Sequence, residues 1–327
     1  MGIRVDIRHM KTKLVLAVLL VMVILPAQAG AAPNGIVALI TDYGADSIYA
    51  GLLQGVIYDH FRDATVVSVT HSVPAFDIAA GAHAVAEAAE MFPSGTVFCA
   101  VVDPGVGGER RSIAVQTDNG SYLVGPDNGL LALAAEKLGI TEIRELTNRL
   151  YWREDAPSHT FHGRDIYGPV AAHLAGGALF ADVGPIVDSL QQLDIEEPEV
   201  GDDAVHGHVL RVDTYGNLIT TIAREHLIDI GAWPGSDTPL TIELNGEPIE
   251  MAFEHTYSNV QPGEPVALIQ SMGFLELAIN QGDFAEEHGV SAWDPVVVRF
   301  PEQEDGGPFD VGEEEGSNNS SWFFWME

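Results

Sequence analysis

Two short runs, Ile36-Val37-Ala38-Leu39-Ile40 and Val97-Phe98-Cys99-Ala100-Val101-Val102, are apolar at every position rather than at every second one. A strand that keeps one face in water alternates polar and apolar residues. An unbroken run of this length therefore fits a strand covered on both faces, the condition of a parallel sheet between helical layers. Each run ends on an acid, the first at Thr41-Asp42-Tyr43-Gly44 and the second at Asp103-Pro104-Gly105-Val106-Gly107-Gly108-Glu109-Arg110-Arg111. Open α/β sheets put their ligands at the carboxyl ends of their strands, which makes Asp42 and Asp103 candidate functional residues. The competing reading of the second acid is a tight turn in which Asp103 caps backbone amides and the arginines are solvated.

The segments between these runs supply the helical layers. Residues 47–60 and the alanine-rich 78–92 read as helices and 64–69 as a strand ending in Thr70-His71-Ser72. Strands over 112–116 and 122–124 lead through Gly125-Pro126-Asp127-Asn128-Gly129 to a helix over 130–138. Strand, helix and turn alternate at the spacing of a doubly wound sheet, with right-handed crossovers. Phe161-His162-Gly163-Arg164-Asp165 stands where a loop enters an apolar helix that runs to Ala175. After the acidic, Pro198-containing stretch 191–203, little helix is evident. Short strands follow over 207–212, 218–222, 240–244, 265–269, 275–279 and 295–300, the pattern of a small β-barrel or sandwich. The expected fold is thus α/β: a Rossmann-like doubly wound sheet domain over 33–198, followed by a smaller C-terminal β-barrel domain over 199–301.

Both ends of the chain read differently. Arg4, Arg8, Lys11 and Lys13 precede an apolar run, 14–25, that is short for a membrane span, and Ala27-Gln28-Ala29 offers an A-x-A cleavage site. Residues 1–32 read as a signal peptide, so export to the periplasm or the exterior is expected, with no stable membrane insertion once the leader is removed. An uncleaved anchor is the alternative. Residues 302–327 are acidic and end in Trp322-Phe323-Phe324-Trp325, and read as a disordered tail whose aromatic end docks elsewhere. The chain carries 48 acidic against 15 basic side chains, a formal charge of −33, and only three of the basic ones are lysines. Nothing here could neutralise a row of phosphates, which excludes nucleic acid as a partner. Such an excess fits a protein working in concentrated salt, where screening removes self-repulsion, or else a plain acidic surface. The single cysteine, Cys99, lies in an apolar run and reads as a core residue.

Three polar constellations stand at element ends: Asp42 with Ser47, Asp103 with Arg110, and His162 beside Arg164 and Asp165. A carboxylate beside a guanidinium stays ionised and can orient a water or a histidine, whereas a histidine titrates near neutrality. No G-x-S-x-G elbow, H-E-x-x-H pair or G-x-x-x-x-G-K-[ST] loop is present, and Gly105-Val106-Gly107-Gly108 is a weak approximation to a dinucleotide fingerprint. His206-Gly207-His208 places alternate side chains on one strand face, a solvated pair rather than a metal-ligand set.

Seven motifs in order carry a resemblance. They are Thr41-Asp42-Tyr43-Gly44, Val69-Thr70-His71-Ser72-Val73-Pro74, Val102-Asp103-Pro104-Gly105-Val106-Gly107, Gly125-Pro126-Asp127-Asn128-Gly129, Phe161-His162-Gly163-Arg164-Asp165, Asp213-Thr214-Tyr215-Gly216-Asn217 and Ser271-Met272-Gly273-Phe274-Leu275-Glu276. From about Ile36 to Phe300 the chain resembles the S-adenosyl-L-methionine hydroxide adenosyltransferase family, relatives of the adenosyl-methionine-dependent fluorinase and chlorinase. The resemblance implies attack of water on ribose C5′ of S-adenosyl-L-methionine, giving adenosine and L-methionine, with no cofactor and no metal, since adenosyl-methionine is the substrate. It places the family's catalytic triad on Asp103, Arg110 and His162. Asp42 falls where the family holds the ribose hydroxyls, Ser47 and Asp213 where it holds the methionine amino group, Asn217 on the adenine edge and Ser271 near the methionine carboxylate. Tyr215 and Phe76 fall on aromatic walls, and Glu276 closes the last substrate-binding motif. It also implies a homotrimer whose site lies between neighbouring subunits. Halogenating relatives have a tyrosine-containing segment in place of Asp103 and no counterpart of Arg110. Export is at odds with a substrate made inside cells, which keeps open a second reading, an exported protein of this fold that binds nucleosides or adenosyl-methionine without turnover.

Overall fold

The computed structural model describes residues 31–194 and 196–300. The charged start, apolar run and cleavage site of the leader lie outside the described residues, as does the acidic tail. Contacts divide the described residues into two compact units, one ending before residue 195 and the other beginning at 196.

The first unit runs β1 (Ile36–Thr41), α1 (Ile48–His60), β2 (Thr65–Thr70), α2 (Ile78–Met91), β3 (Val97–Val101), β4 (Ser112–Thr117), β5 (Tyr122–Pro126), α3 (Ala132–Leu138), β6 (Ile140–Glu145) and α4 (Gly168–Ala175). Its six strands are ordered β2-β1-β3-β5-β4-β6. β1 is parallel to β2 and β3, and β3 to β5, while β4 runs antiparallel to both β5 and β6. The two fully apolar runs are central neighbours, with Leu39 opposite Cys99 and Thr41 opposite Val101. Their alternate residues feed two separate cores. Ala38, Ile40, Phe98 and Ala100 pack with the alanines of α2 and α3, whereas Val37, Leu39, Val97 and Cys99 pack with Leu53 and Ile57 of α1 and Val170 and Leu174 of α4. Cys99 is fully buried, and burial pushes its thiol up to about 12, so it is an inert core residue. α2 packs closely on the segment that enters α3 because Gly81 has no side chain; a Cβ there would stand 2.7 Å from Leu130 Cδ1.

Three features of this unit differ from the sequence reading. The β4–β5 pair is a hairpin, so one strand of the sheet is reversed, and β6 (Ile-Thr-Glu-Ile-Arg-Glu) lies at the sheet edge, where charged residues are tolerated and mask the strand pattern. The segment entering α4 is a π-helical turn, Gly163–Tyr167.

The second unit runs β7 (Glu199–Val200), β8 (Ala204–Val212), β9 (Leu218–Ala223), α5 (Arg224–Asp229), β10 (Leu240–Leu244), β11 (Glu247–Glu254), β12 (Pro265–Ile269), β13 (Phe274–Ile279), α6 (Phe284–His288) and β14 (Pro295–Arg299). Seven strands follow one another as β14-β10-β11-β12-β13-β9-β8, and pairing of β14 with β8 closes them into a barrel; β7 adds to β8 outside the ring. Closure is possible because the long β8 pairs with β14 along Ala204–His208 and with β9 from Val209 onward. Leu240, Ile242, Phe253, Leu275, Leu277 and Val298 fill the interior. β11 was not foreseen, although Asn245 (φ +53°) and Gly246 (φ +81°) form the tight turn that pairs it with β10. His206 points outward and His208 is half-buried. Among the described residues no three His, Cys, Asp or Glu side chains gather as a metal site, and no helix is long and apolar enough to cross a membrane.

Candidate active site

Because β1 and β3 are parallel neighbours in register, Asp42 and Asp103 emerge at the same edge of the sheet, and the Asp42 N–H donates to the Val101 carbonyl (3.4 Å). After Asp103 the chain makes a glycine-rich turn and returns with Arg110. The guanidinium meets the carboxylate in a two-pronged pair, Nε to Oδ1 at 2.8 Å and Nη2 to Oδ2 at 2.5 Å, with both side chains nearly buried. Arg110 also donates through Nη1 to Ser112 Oγ (3.1 Å) and to the Arg111 carbonyl (3.5 Å), and through Nη2 to His162 Nδ1 (2.9 Å). All five of its N–H bonds are thereby directed at protein acceptors. Arg110 holds other groups in place and has no donor left for a ligand. Burial works against its charge most strongly, but the hydrogen bond to Asp103 and the electrostatic contributions of Tyr167 and Asp103 together outweigh it, and the guanidinium is held above its ordinary value.

The contact with His162 settles a tautomer. A guanidinium only donates, so Nδ1 accepts and the proton of the neutral ring sits on Nε2. Burial first, and the charge of Arg110 second, hold His162 below its ordinary value. His162 reaches this place because Gly107 (φ +76°) lets the glycine-rich turn lie against the chain at His159; a Cβ there would collide with the His159 carbonyl oxygen. From the other side, buried Asp165 ties the loop down by accepting from the Ser158 N–H (2.8 Å) and from Arg164 Nε (2.6 Å). Tyr167, fully buried, packs under Arg110 with its hydroxyl 3.2 Å from Ser112 Oγ.

Asp42, Tyr43, Phe76, Asp103, Phe161 and His162 line a cavity of about 120 Å³. Asp42 Oδ2 accepts from the Phe76 N–H (3.0 Å), and Phe76 holds a left-handed backbone (φ +69°) with its ring exposed. A bulky residue in that region is strained and persists only where its surroundings impose it. Ser47 is placed differently. Its Oγ caps α1 by accepting from the Tyr49 N–H (3.2 Å), and it does not line the cavity.

The remaining predicted residues belong to the barrel unit. Asp213 closes the turn before β9, Oδ1 accepting from the N–H groups of Tyr215 (2.8 Å) and Asn217 (3.0 Å) and Oδ2 from the Asn217 side chain (3.1 Å). Asn217 is buried, whereas the Tyr215 ring is exposed. Glu276 on β13 is buried and accepts from the Tyr257 hydroxyl (2.5 Å). Burial holds Glu276 above the usual carboxylate range, with the charge of Asp213 adding to it. Ser271 is exposed and bonds within its own turn, to Gln270 Oε1 (3.3 Å). The sequence reading missed Ser112, Tyr167, Phe161 and Tyr43 as parts of the site. The last two sat inside quoted motifs, but Ser112 and Tyr167 carry no local signal.

The model of the SAM hydroxide adenosyltransferase N-terminal domain matches residues 37–184, and that of the C-terminal domain residues 207–297. The chain is 39% identical over 270 residues to the (R)-S-adenosyl-L-methionine hydrolase of Salinispora tropica, covering 82% of this chain and 98% of that one. It is more distantly similar to the fluorinase of Nocardia brasiliensis, 28% identical over 292 residues, 81% of this chain and 96% of the other. A solved structure, an uncharacterized conserved protein from Thermotoga maritima, matches with a TM-score of 0.76 at 36% identity, over 81% of this chain and 99% of that one. With both domain models matched in order and a hydrolase aligned over nearly its full length, the chain belongs to the SAM hydroxide adenosyltransferase family.

Proposed function

We propose that this chain hydrolyses S-adenosyl-L-methionine to adenosine and L-methionine. The observation that carries the reading is the Asp103–Arg110–His162 unit, in which a fully engaged guanidinium presents one carboxylate acceptor and one Nε2–H donor to a cavity. Such a pair of groups orients a water. In the reaction the water oxygen bonds to C5′ as the C5′–S bond breaks, its electron pair stays on sulfur, and the sulfonium departs as a neutral thioether while one proton leaves the water. A leaving group that good calls for positioning above all, and positioning supplies large rate factors. Asp42, beside the cavity, is suited to the ribose hydroxyls as a carboxylate with a free oxygen. The cavity of about 120 Å³ is small beside the roughly 300–1,000 Å³ of sites that enclose a whole ligand, which supports a trimer in which Asp213, Asn217 and Ser271 of a second chain complete the site. Incubation of the full chain with S-adenosyl-L-methionine, followed by product analysis, tests the reading. Equimolar adenosine and methionine are expected, with Asp103→Asn lowering kcat by roughly 10²-fold or more; binding without release of adenosine would refute hydrolysis.

A further inference from the structure

Of the polar side chains on the cavity, one is left unused by the site as described. Asp103 is paired with Arg110, His162 accepts from it, Asp42 accepts from the Phe76 N–H, and Thr160 bonds to Ser158. The Tyr43 hydroxyl makes no hydrogen bond among the described residues. It is not free to swing. The ring is held edge-on by Phe161 (centroids 5.6 Å apart) and by Tyr49 (6.2 Å). Its hydroxyl end abuts the backbone of Gly163, the residue after His162, so closely that a Cβ there would collide with the oxygen. Glycine at 163 and a phenol at 43 are therefore one device, which fixes the hydroxyl against the backbone that follows His162, in the wall of the cavity that both residues line.

A water has two O–H bonds and two lone pairs. Asp103 accepts one O–H, the Nε2–H of His162 donates to one lone pair, and the other lone pair must be kept for C5′, which leaves one O–H without an acceptor. We propose that Tyr43 is a further catalytic residue whose hydroxyl oxygen accepts that last O–H, so that the attacking water is held in all four directions. The inference rests on the hydrolytic reading of the site. Tyr43 changes no covalent bond: the O–C5′ bond forms, the C5′–S pair goes to sulfur, and the proton leaves to solvent by way of Asp103. Burial, with Cys99 and Asp42 adding, holds the phenol well above its ordinary value, so it stays neutral throughout.

Tyr43→Phe keeps the ring contacts and removes only the oxygen. Steady-state kinetics of this variant with S-adenosyl-L-methionine, beside wild type and Asp103→Asn, should show kcat lower by about 10- to 100-fold, KM within about threefold and an unchanged Tm. Wild-type kcat in Tyr43→Phe with Asp103→Asn impaired would overturn the assignment and leave the hydrolytic reading standing. No adenosine from wild type would overturn both. Gly163→Ala checks the geometry: it should lower Tm, and the Tyr43→Phe/Gly163→Ala pair should recover most of the loss. Equal losses with and without the phenol oxygen would show that it does not stand beside Gly163.

Discussion

Arg110 shows how far one side chain can organise a site. Its five N–H bonds hold Asp103 in a fork, Ser112 and a carbonyl below, and His162 beyond. The consequence for His162 is a role as donor, since Nδ1 is committed to Arg110 and Nε2 already carries the proton. The sign of its pH dependence follows. Burial and the Arg110 charge depress its folded-state value, so its contribution to stability and to site geometry is complete above the ordinary imidazole value of about 6.5 and is lost as pH falls through the lowered one. A profile of kcat/KM against pH should therefore stay level from neutrality down past about 6.5 and fall only on the acid side of it. An acid limb centred near or above about 7 would mean that His162 works as a titrating base.

At the scale of elements, the site hangs between the glycine-rich turn after β3 and the loop that enters α4 through its π-helical turn. Asp165 secures the second of these, as it is buried and accepts from Ser158 and Arg164. Burial alone would raise its value, but the Arg164 hydrogen bond and the Ser158 N–H outweigh it and lower the carboxyl below its usual range. That stabilisation is present above the ordinary carboxylate range and is lost as pH falls through the lowered value. Asp165→Asn preserves shape and removes charge. Discounted for the partly exposed Arg164, the loss should be on the order of 1–3 kcal/mol, seen as a fall of several degrees in Tm. Because the loop carries His162, activity should fall further than stability does. A variant with wild-type Tm and kcat would deny the loop its anchor here.

At the scale of the molecule, the two units have separate interiors, a two-sided sheet core and a closed barrel core. The candidate residues are divided between them, Asp42, Asp103, Arg110 and His162 in the first and Asp213, Asn217, Ser271 and Glu276 in the second. A trimer that joins the two sets across chains must bring together copies that each carry a formal charge of −33. Salt should decide whether it holds, because the screening length falls from about 10 Å at 0.1 M to about 3 Å at 1 M. Light scattering is expected to report three chains at high salt and smaller species as salt is withdrawn, with activity following the trimer. A fully active monomer would rule out a shared site.

Much of this protein was set by local sequence. The unbroken apolar runs before Asp42 and Asp103 required strands covered on both faces, and the shift after residue 203 to short apolar strands required a second, β-rich unit, because the periodicity of burial is written directly into the residues. The pairing of Asp103 with Arg110 and the candidacy of His162 were legible in the residues themselves, and their union as one triad came from the family resemblance. What tertiary structure alone decided was the reversal of β4, the pairing of β8 with β14 that closes the barrel, and the saturation of Arg110 by Ser112, Arg111 and His162. It also decided the meeting of Tyr43 with Gly163, 120 positions apart in the chain. Each of these depends on which elements become neighbours, and a hydrogen bond or close contact between distant segments leaves no periodic trace in either of them.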